Sequence, residues 1–342
     1  MNLTLEDIGR LAGVSRSTVS RVVNDQNSVS SEVRRRVQDV IERTGFIPNI
    51  AARSLASSRS GVIGLVIPSR VHSLFEDPYF GRLIQGISRA GNEAGATLSL
   101  FLFQTEDEEE RLYPRVVRSG LVDGVILTAS RMGDPLMADL MGGSMPFVVI
   151  GRPDDPERIS YVDTDNVGGA RQAALHLCNL GYRRIGYIGA PMSTAAGVDR
   201  LEGFRQGLAT CGAVLDPELH VEGTFSERSG YEAMHQIYPK APDALFIASD
   251  TMAVGAMRAL REFGASVPQD VGLVSFDGLP SSELSIPALT TIRQPISETG
   301  ERAVELLLQL LSGDVIGPVV DILPTELVVR ESCGASTRAA EV

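Results

Sequence analysis

The stretch TLEDIGRLAGVSRSTVSRVVN, residues 4–24, reads as two short helices joined by a tight turn. Thr4 with Asp7 three residues on forms a capping box, and Leu5, Ile8, Leu11 and Ala12 recur at helical spacing. Gly13 suits the left-handed conformation that ends a helix, with Val14 packing in the turn. Ser15 then caps a second helix, Arg16 to Val23, whose inner face is Val19, Val22 and Val23. Arg16, Ser17, Ser20 and Arg21 are left on its outer face and near its N-terminus. That is where a recognition helix carries donors for base edges and phosphates. Taken alone, the stretch also fits an αα-hairpin in an ordinary core. What surrounds it decides for DNA.

A third helix starts at Ser30 or Ser31, buries Val33, Val37, Val40 and Ile41, and ends at Gly45. After Phe46-Ile47-Pro48, Asn49 can cap a short segment through Ala56, followed by the polar break Ser57-Ser58-Arg59-Ser60. The strings VSRSTVSRVVN, GFIPNIAARSLA, VIGLVIP, DGVIL, RRIGYIG, ASDTMAVGAMRAL, LVSFDG, LTTIRQP and LVVRES then follow one another over nearly the whole chain. In that order and spacing the chain resembles the lactose/galactose-repressor (LacI/GalR) family of bacterial transcription factors. Each string is weak alone. The ordered set is specific.

Charge is divided along the chain. Residues 1–60 hold nine Arg and six acids, a net +3, while the remainder holds 22 basic and 37 acidic residues, a net −15. A basic head on an acidic body suits a DNA reader joined to a sensor. No apolar run reaches the ~18 residues of a membrane span, and Glu6 and Asp7 spoil a signal-peptide reading, so a cytoplasmic protein without membrane contact is expected. Cys178, Cys211 and Cys333 are odd in number and far apart, as reduced structural thiols are.

From Val62 the chain alternates strand and helix patterns. Strands are expected at Val62–Ile67, Thr97–Phe103, Gly124–Leu127, Phe147–Ile150, Arg184–Ile188, Ala244–Ile247 and Gly272–Phe276. Helical patterns lie around Phe80–Ala94, Glu108–Ser119, Val167–Leu180, Leu201–Cys211, Glu227–Ile237, Thr251–Phe263 and Ser297–Leu311. Such alternation predicts an α/β fold of parallel sheets with helices on both faces, and so many units need two sheets. The resemblance implies a two-lobed, periplasmic-binding-protein-like core behind the helix–turn–helix module. It predicts the module over 1–46, a hinge helix and linker over 47–60, and the core over 61–330. The N-lobe would take 61–163 and 292–323 and the C-lobe 164–291 and 324–330, leaving a tail at 331–342. Crossings between lobes are expected near Asp163, Thr291 and Pro324.

Ligands on such sheets meet the carboxyl ends of strands. Tyr79 and Phe80 offer an aromatic face at the first core helix, Arg152 follows the Phe147–Ile150 run, and Arg200 opens a later helix. Phe225 follows His220–Gly223, Ser249 and Asp250 follow Ala244–Ile247, Asp277 follows Gly272–Phe276, and Gln294 sits in LTTIRQP. Carboxylates and Arg bond vicinal hydroxyls while aromatics stack on apolar sugar faces, a combination that suits a carbohydrate. By resemblance, Arg200, Asp277, Phe225, Phe80 and Gln294 match effector contacts; Asp250 can equally cap the helix at Thr251. Ser249 stands where many relatives carry Asn, and the loop 69–77, which holds His72, is longer than usual. Both leave the sugar open.

The resemblance further implies a homodimeric repressor without cofactor, reading a near-palindromic operator. Its DNA contacts fall on Thr4, Leu5, Ser15, Arg16, Ser17, Ser20, Arg21, Asn24, Ser30, Asn49, Ala52 and Leu55. Leu55 is the expected minor-groove wedge of a hinge that orders on DNA. Enzyme readings fail on specifics. The sole lysine, Lys240, excludes a P-loop; no G-x-S-x-G occurs; and His72, His176, His220 and His235 lack metal-ligand spacing. Two other functions remain open: the same architecture answering a purine or other non-sugar metabolite, and a binding protein with no transcriptional role.

Overall fold

The computed structural model describes residues 3–23, 28–46, 59–70, 75, 77–103, 105–128, 132–133 and 135–338. Asn24, the expected hinge with Asn49, Ala52 and Leu55, and His72 lie outside them.

Three helices form the N-terminal unit: α1 (Leu5–Ala12), α2 (Arg16–Val23) and α3 (Ser31–Thr44). The Thr4 hydroxyl accepts from Asp7 N, and the Asp7 carboxylate accepts from Thr4 N at 3.0 Å, closing the capping box. Gly13 ends α1 at φ 66°, and Gly45 ends α3 at φ 61°. Ile8, Ala12, Val19, Val22, Val37, Val40 and Phe46 make a small core of their own. Gly9 lets α1 lie against the turn, because a Cβ there would stand 2.8 Å from Val14 O.

The rest of the chain builds two six-stranded sheets. In chain order the strands and helices are β1 (Val62–Arg70), α4 (Pro78–Glu93), β2 (Thr97–Phe103), α5 (Glu106–Arg118), β3 (Gly124–Thr128), α6 (Pro135–Gly142), β4 (Phe147–Ile150) and β5 (Tyr161–Thr164). They continue with α7 (Asn166–Asn179), β6 (Ile185–Gly189), α8 (Ala195–Thr210), β7 (His220–Glu222), α9 (Glu227–Ile237), β8 (Ala244–Ile247), α10 (Asp250–Glu262) and β9 (Gly272–Asp277). The last are α11 (Pro280–Leu284), β10 (Thr290–Arg293), α12 (Ile296–Ser312), β11 (Val320–Leu323), β12 (Glu326–Val328) and α13 (Ala335–Arg338).

One sheet runs β11-β5-β4-β3-β1-β2, parallel throughout; the other runs β12-β10-β9-β8-β6-β7, with only β12 antiparallel. Every residue of β3, β6, β8 and β9 is buried, as strands covered on both faces must be. The chain passes from the first sheet to the second after β5, returns after β10, and passes again after β11. The first and last passages touch, Asp165 N donating to Leu323 O at 2.9 Å.

Five short strands escape the apolar-run pattern: β5, β7, β10, β11 and β12. β11 shows why: Val320 and Ile322 on this edge strand are exposed, so no buried run marks it. The segment from 331, expected as a tail, begins inside the second lobe instead. Ser332 and Cys333 are fully buried there, with the Ser332 hydroxyl donating to Leu273 O and accepting from Thr290 N, both at 2.8 Å. Among the described residues no helix is long and apolar enough to cross a membrane.

Candidate functional site

On the N-terminal unit, Val19 and Val22 are buried while Arg16, Ser17 and Arg21 are exposed on the opposite face of α2. Ser15 Oγ accepts from Thr18 N at 3.2 Å, so the start of α2 is fixed from outside. Thr4 and Ser30 stand at the N-termini of α1 and α3, with Leu5 in the first turn of α1, and Ser20 is half-buried on α2. The unit thus offers two cations and hydroxyls on one convex helix face.

The second candidate site is a cavity of about 260 Å³ lined from both lobes. The carboxyl ends of β3, β4 and β5 face it from one side, and those of β9 and β10 from the other. Of the expected effector residues, Tyr79, Phe80, Arg152, Arg200, Phe225, Asp277 and Gln294 line it.

The C-lobe wall is wired together. Helix α8 carries Arg200 into the cavity, and α8 lies so close to α7 that a Cβ at Gly203 would stand 2.1 Å from Val167 O. The Arg200 guanidinium donates to Asn166 Oδ1 at 2.9 Å, to Ala248 O at 2.5 Å and to Asp277 Oδ1 at 3.3 Å. It also lies over the Phe276 ring, 3.8 Å from the centroid. Gln294 Nε2 donates to the same Asp277 oxygen at 2.7 Å. Burial pushes the Asp277 carboxyl well above the usual carboxylate range, a push that Arg200 opposes and Asp250 and Asp77 reinforce. Asp277 holds φ at 116° and Phe225 at 60°, so two of the lining side chains stand on strained backbone.

The N-lobe wall is less engaged. Tyr79 and Phe80 meet edge to face, ring centroids 5.4 Å apart, at the start of α4. Asp77 caps that helix through Tyr79 N, and burial raises its pKa. Asp163, at the end of β5, accepts from Thr164 N at 2.8 Å and Asn166 Nδ2 at 3.3 Å. Burial pushes its pKa up to about 6. Thr128 closes β3 with its hydroxyl buried and without a hydrogen-bond partner among the described residues. Across the mouth, Arg152 makes a two-point bridge to Asp199 of α8, Nε at 2.9 Å and Nη2 at 2.6 Å.

Two expected residues belong elsewhere. Ser249 caps α10 through Met252 N at 3.1 Å. Asp250, fully buried, accepts from Ser275 Oγ at 2.5 Å, Thr291 Oγ1 at 2.7 Å and Leu279 N at 2.6 Å. Its carboxylate tethers β9, β10 and the following loop, and neither residue lines the cavity. Arg152 lines it, but Asp199 already holds its guanidinium. Asp77, Thr128, Asp163 and Asn166 were not expected as lining residues. The string DTDN at the end of a short strand was the available signal for two of them, Asp163 and Asn166.

Residues 4–49 match the model of the bacterial regulatory proteins of the lacI family, and residues 174–333 match the periplasmic binding protein-like domain. The HTH-type transcriptional regulator CelR of Thermobifida fusca is 39% identical over 333 residues, 96% of this chain and 98% of its own length. The chain belongs to the LacI family. CytR, an HTH-type transcriptional repressor of Escherichia coli K12, is 31% identical over 98% of this chain and 96% of its own. Among solved structures, a CelR–cellobiose complex superposes with a TM-score of 0.77 at 37% identity, covering 96% of this chain and 99% of that one. The Lac repressor dimer bound to operator and the anti-inducer ONPF gives 0.83 at 28% identity, covering 97% and 99%. The protein is therefore a DNA-binding transcriptional regulator with a Lac-repressor-like fold, a helix–turn–helix domain leading a periplasmic-binding-protein-like core.

Proposed function

We propose that this regulator is a cytoplasmic, non-catalytic homodimeric repressor whose affinity for a near-palindromic operator is set by a small carbohydrate in the interlobe cavity. One observation carries the sugar: the Arg200–Asp277–Gln294 cluster faces an aromatic pair, Tyr79 and Phe80, across the interlobe cavity. Bidentate polar groups for vicinal hydroxyls opposite rings for C–H faces are what a pyranose demands. The cellobiose in the CelR complex supports the same class. A purine would want an aromatic slot and amide edges, and the two amides that line the cavity are already engaged, Gln294 with Asp277 and Asn166 with Arg200 and Asp163.

Base discrimination falls to Arg16, Ser17 and Arg21, supported by their exposure opposite the Val19/Val22 face. The hinge at 49–56, with Leu55 as wedge, and the lobe boundaries at 61–163 with 292–323 and at 164–291 with 324–330 belong to the same proposal. Effector closing the lobes would shift the N-lobes of the dimer and bias hinge pairing. Thermal-shift screening of the full chain against sugars and nucleobases tests the effector class. A sugar raising the melting temperature supports it; stabilisation by nucleobases alone overturns it.

A further inference from the structure

Five charged side chains line the cavity among the described residues: Asp77, Asp163 and Asp277 against Arg152 and Arg200. Both cations are already engaged. Arg152 is bridged at two points to Asp199, and Arg200 is held by Asn166, Ala248 O and Asp277 with its face on Phe276. A phosphate or carboxylate entering here would find both guanidiniums already paired with a carboxylate, Asp199 and Asp277, and would meet two further carboxylates, Asp77 and Asp163, that form no salt bridge among the described residues. What the cavity does offer is acceptors. Among the described residues Asp77 has one oxygen on Tyr79 N and the other without a donor, and the buried Thr128 hydroxyl has no partner.

We propose that the cavity selects by charge: it admits a neutral, hydroxyl-rich ligand and excludes the phosphorylated or carboxylated form of the same molecule, with Asp163 setting the margin. This rests on the cavity being the effector site. Asp163 is the choice over Asp77 because Asp77 also caps α4, whereas Asp163 ends a strand beside Asn166 and the Arg152–Asp199 bridge. A like charge placed within a few ångströms in a partly buried site is repelled strongly, and such repulsion is how sites reject near-isosteres.

The test is calorimetry on the full-length protein at pH 8 with matched pairs: cellobiose and cellobiose 6′-phosphate, glucose and glucose 6-phosphate, adenosine and adenosine 5′-monophosphate. The neutral member of a binding pair should bind at least about tenfold more tightly than its phosphate. In Asp163→Asn that ratio should narrow by about tenfold. Equal or tighter binding of a phosphorylated member by the parent protein overturns the charge rule. An unchanged ratio in a folded Asp163→Asn overturns the role of Asp163. Binding of adenosine with neither sugar would instead sink the carbohydrate assignment and leave the charge rule standing, so the two failures are told apart.

Discussion

The two walls of the cavity are built on different terms. On the C-lobe side Arg200, Asn166, Asp277 and Gln294 are bonded to one another before any ligand arrives. On the N-lobe side, among the described residues, Thr128 has no hydrogen-bond partner, Asp77 has one, and two aromatic rings present their faces and edges. A prewired wall costs little further ordering on binding and fixes the orientation of the ligand. A wall with open acceptors gains its bonds only when the lobes close on something. The contrast teaches that removing a C-lobe residue should weaken the folded protein as well as binding, whereas removing an N-lobe residue should weaken binding without weakening the fold.

The largest effect is expected behind the C-lobe wall. Asp250 gathers three buried donors from β9, β10 and the loop at Leu279. Asp250→Ala leaves Thr291 Oγ1 and Leu279 N without that acceptor and Ser275 Oγ with only Thr290 O at 3.4 Å, and each buried unsatisfied donor costs about 1–3 kcal/mol. We expect a loss of roughly 3 kcal/mol or more in denaturant unfolding. Among molecules that remain folded, effector affinity should change far less. A stability near the parent's would show that Asp250 is not the tether described.

Asp277 comes next. It lines the cavity and also bridges Arg200 and Gln294, so it tests where structure ends and binding begins. Asp277→Asn keeps an oxygen for Gln294 but removes the charge that faces Arg200. Loss of a charge-assisted bond of about 1.5–3 kcal/mol corresponds to roughly ten- to a hundredfold weaker effector binding by calorimetry. Operator affinity of the effector-free protein should be retained. Undiminished effector affinity in the folded variant would remove Asp277 from the site.

Asp163 supplies a pH test of the same contrast. Burial raises its pKa from the ordinary 3.8 to about 6 in the folded chain. A carboxyl so raised favours the fold most where it is protonated in both states, below about pH 4, and that favour is lost as pH rises through about 6. Asp163→Asn should therefore melt close to the parent near pH 4 and above it by pH 7–8. The expected gain is about 1–2 kcal/mol, since Asp163 is only partly buried by surface exposure. A difference that is flat across that range would mean Asp163 is not held in its neutral form by its surroundings.

The DNA-reading unit was legible because its determinants are local. The capping box at Thr4 and Asp7, the left-handed Gly13 and the valine spacing of α2 all fall within 21 residues and need no distant partner. The alternating strands and helices of the core were legible where burial on both faces left apolar runs, as in β3 and β9, and not where a short edge strand such as β11 carries exposed Val320 and Ile322. Position after a strand located Arg200 and Asp277 but could not separate them from Asp250. That aspartate also follows a strand, yet its side chain turns under the sheet toward Ser275 and Thr291, 25 and 41 residues away. Thr128 had no local mark, since it reads as an ordinary strand residue until the second lobe is placed opposite.

Thr128 is the sharpest probe of the open wall, and its expected effect is the smallest. Its hydroxyl is buried and makes no bond with the described residues, so it adds no bond to the empty fold and carries an unrecovered desolvation cost. Thr128→Val replaces that hydroxyl with a methyl of similar volume. Without ligand the variant should unfold at the parent's denaturant midpoint or slightly above it. With ligand it should lose one neutral hydrogen bond, about 0.5–1.5 kcal/mol, or roughly two- to twelvefold in Kd by calorimetry. A destabilised empty protein would mean that the hydroxyl already has a partner and that the N-lobe wall is prewired like its opposite. Unchanged affinity with unchanged stability would mean that the ligand never reaches the end of β3, and the acceptors that matter would then be confined to Asp77, Asp163 and the C-lobe wall.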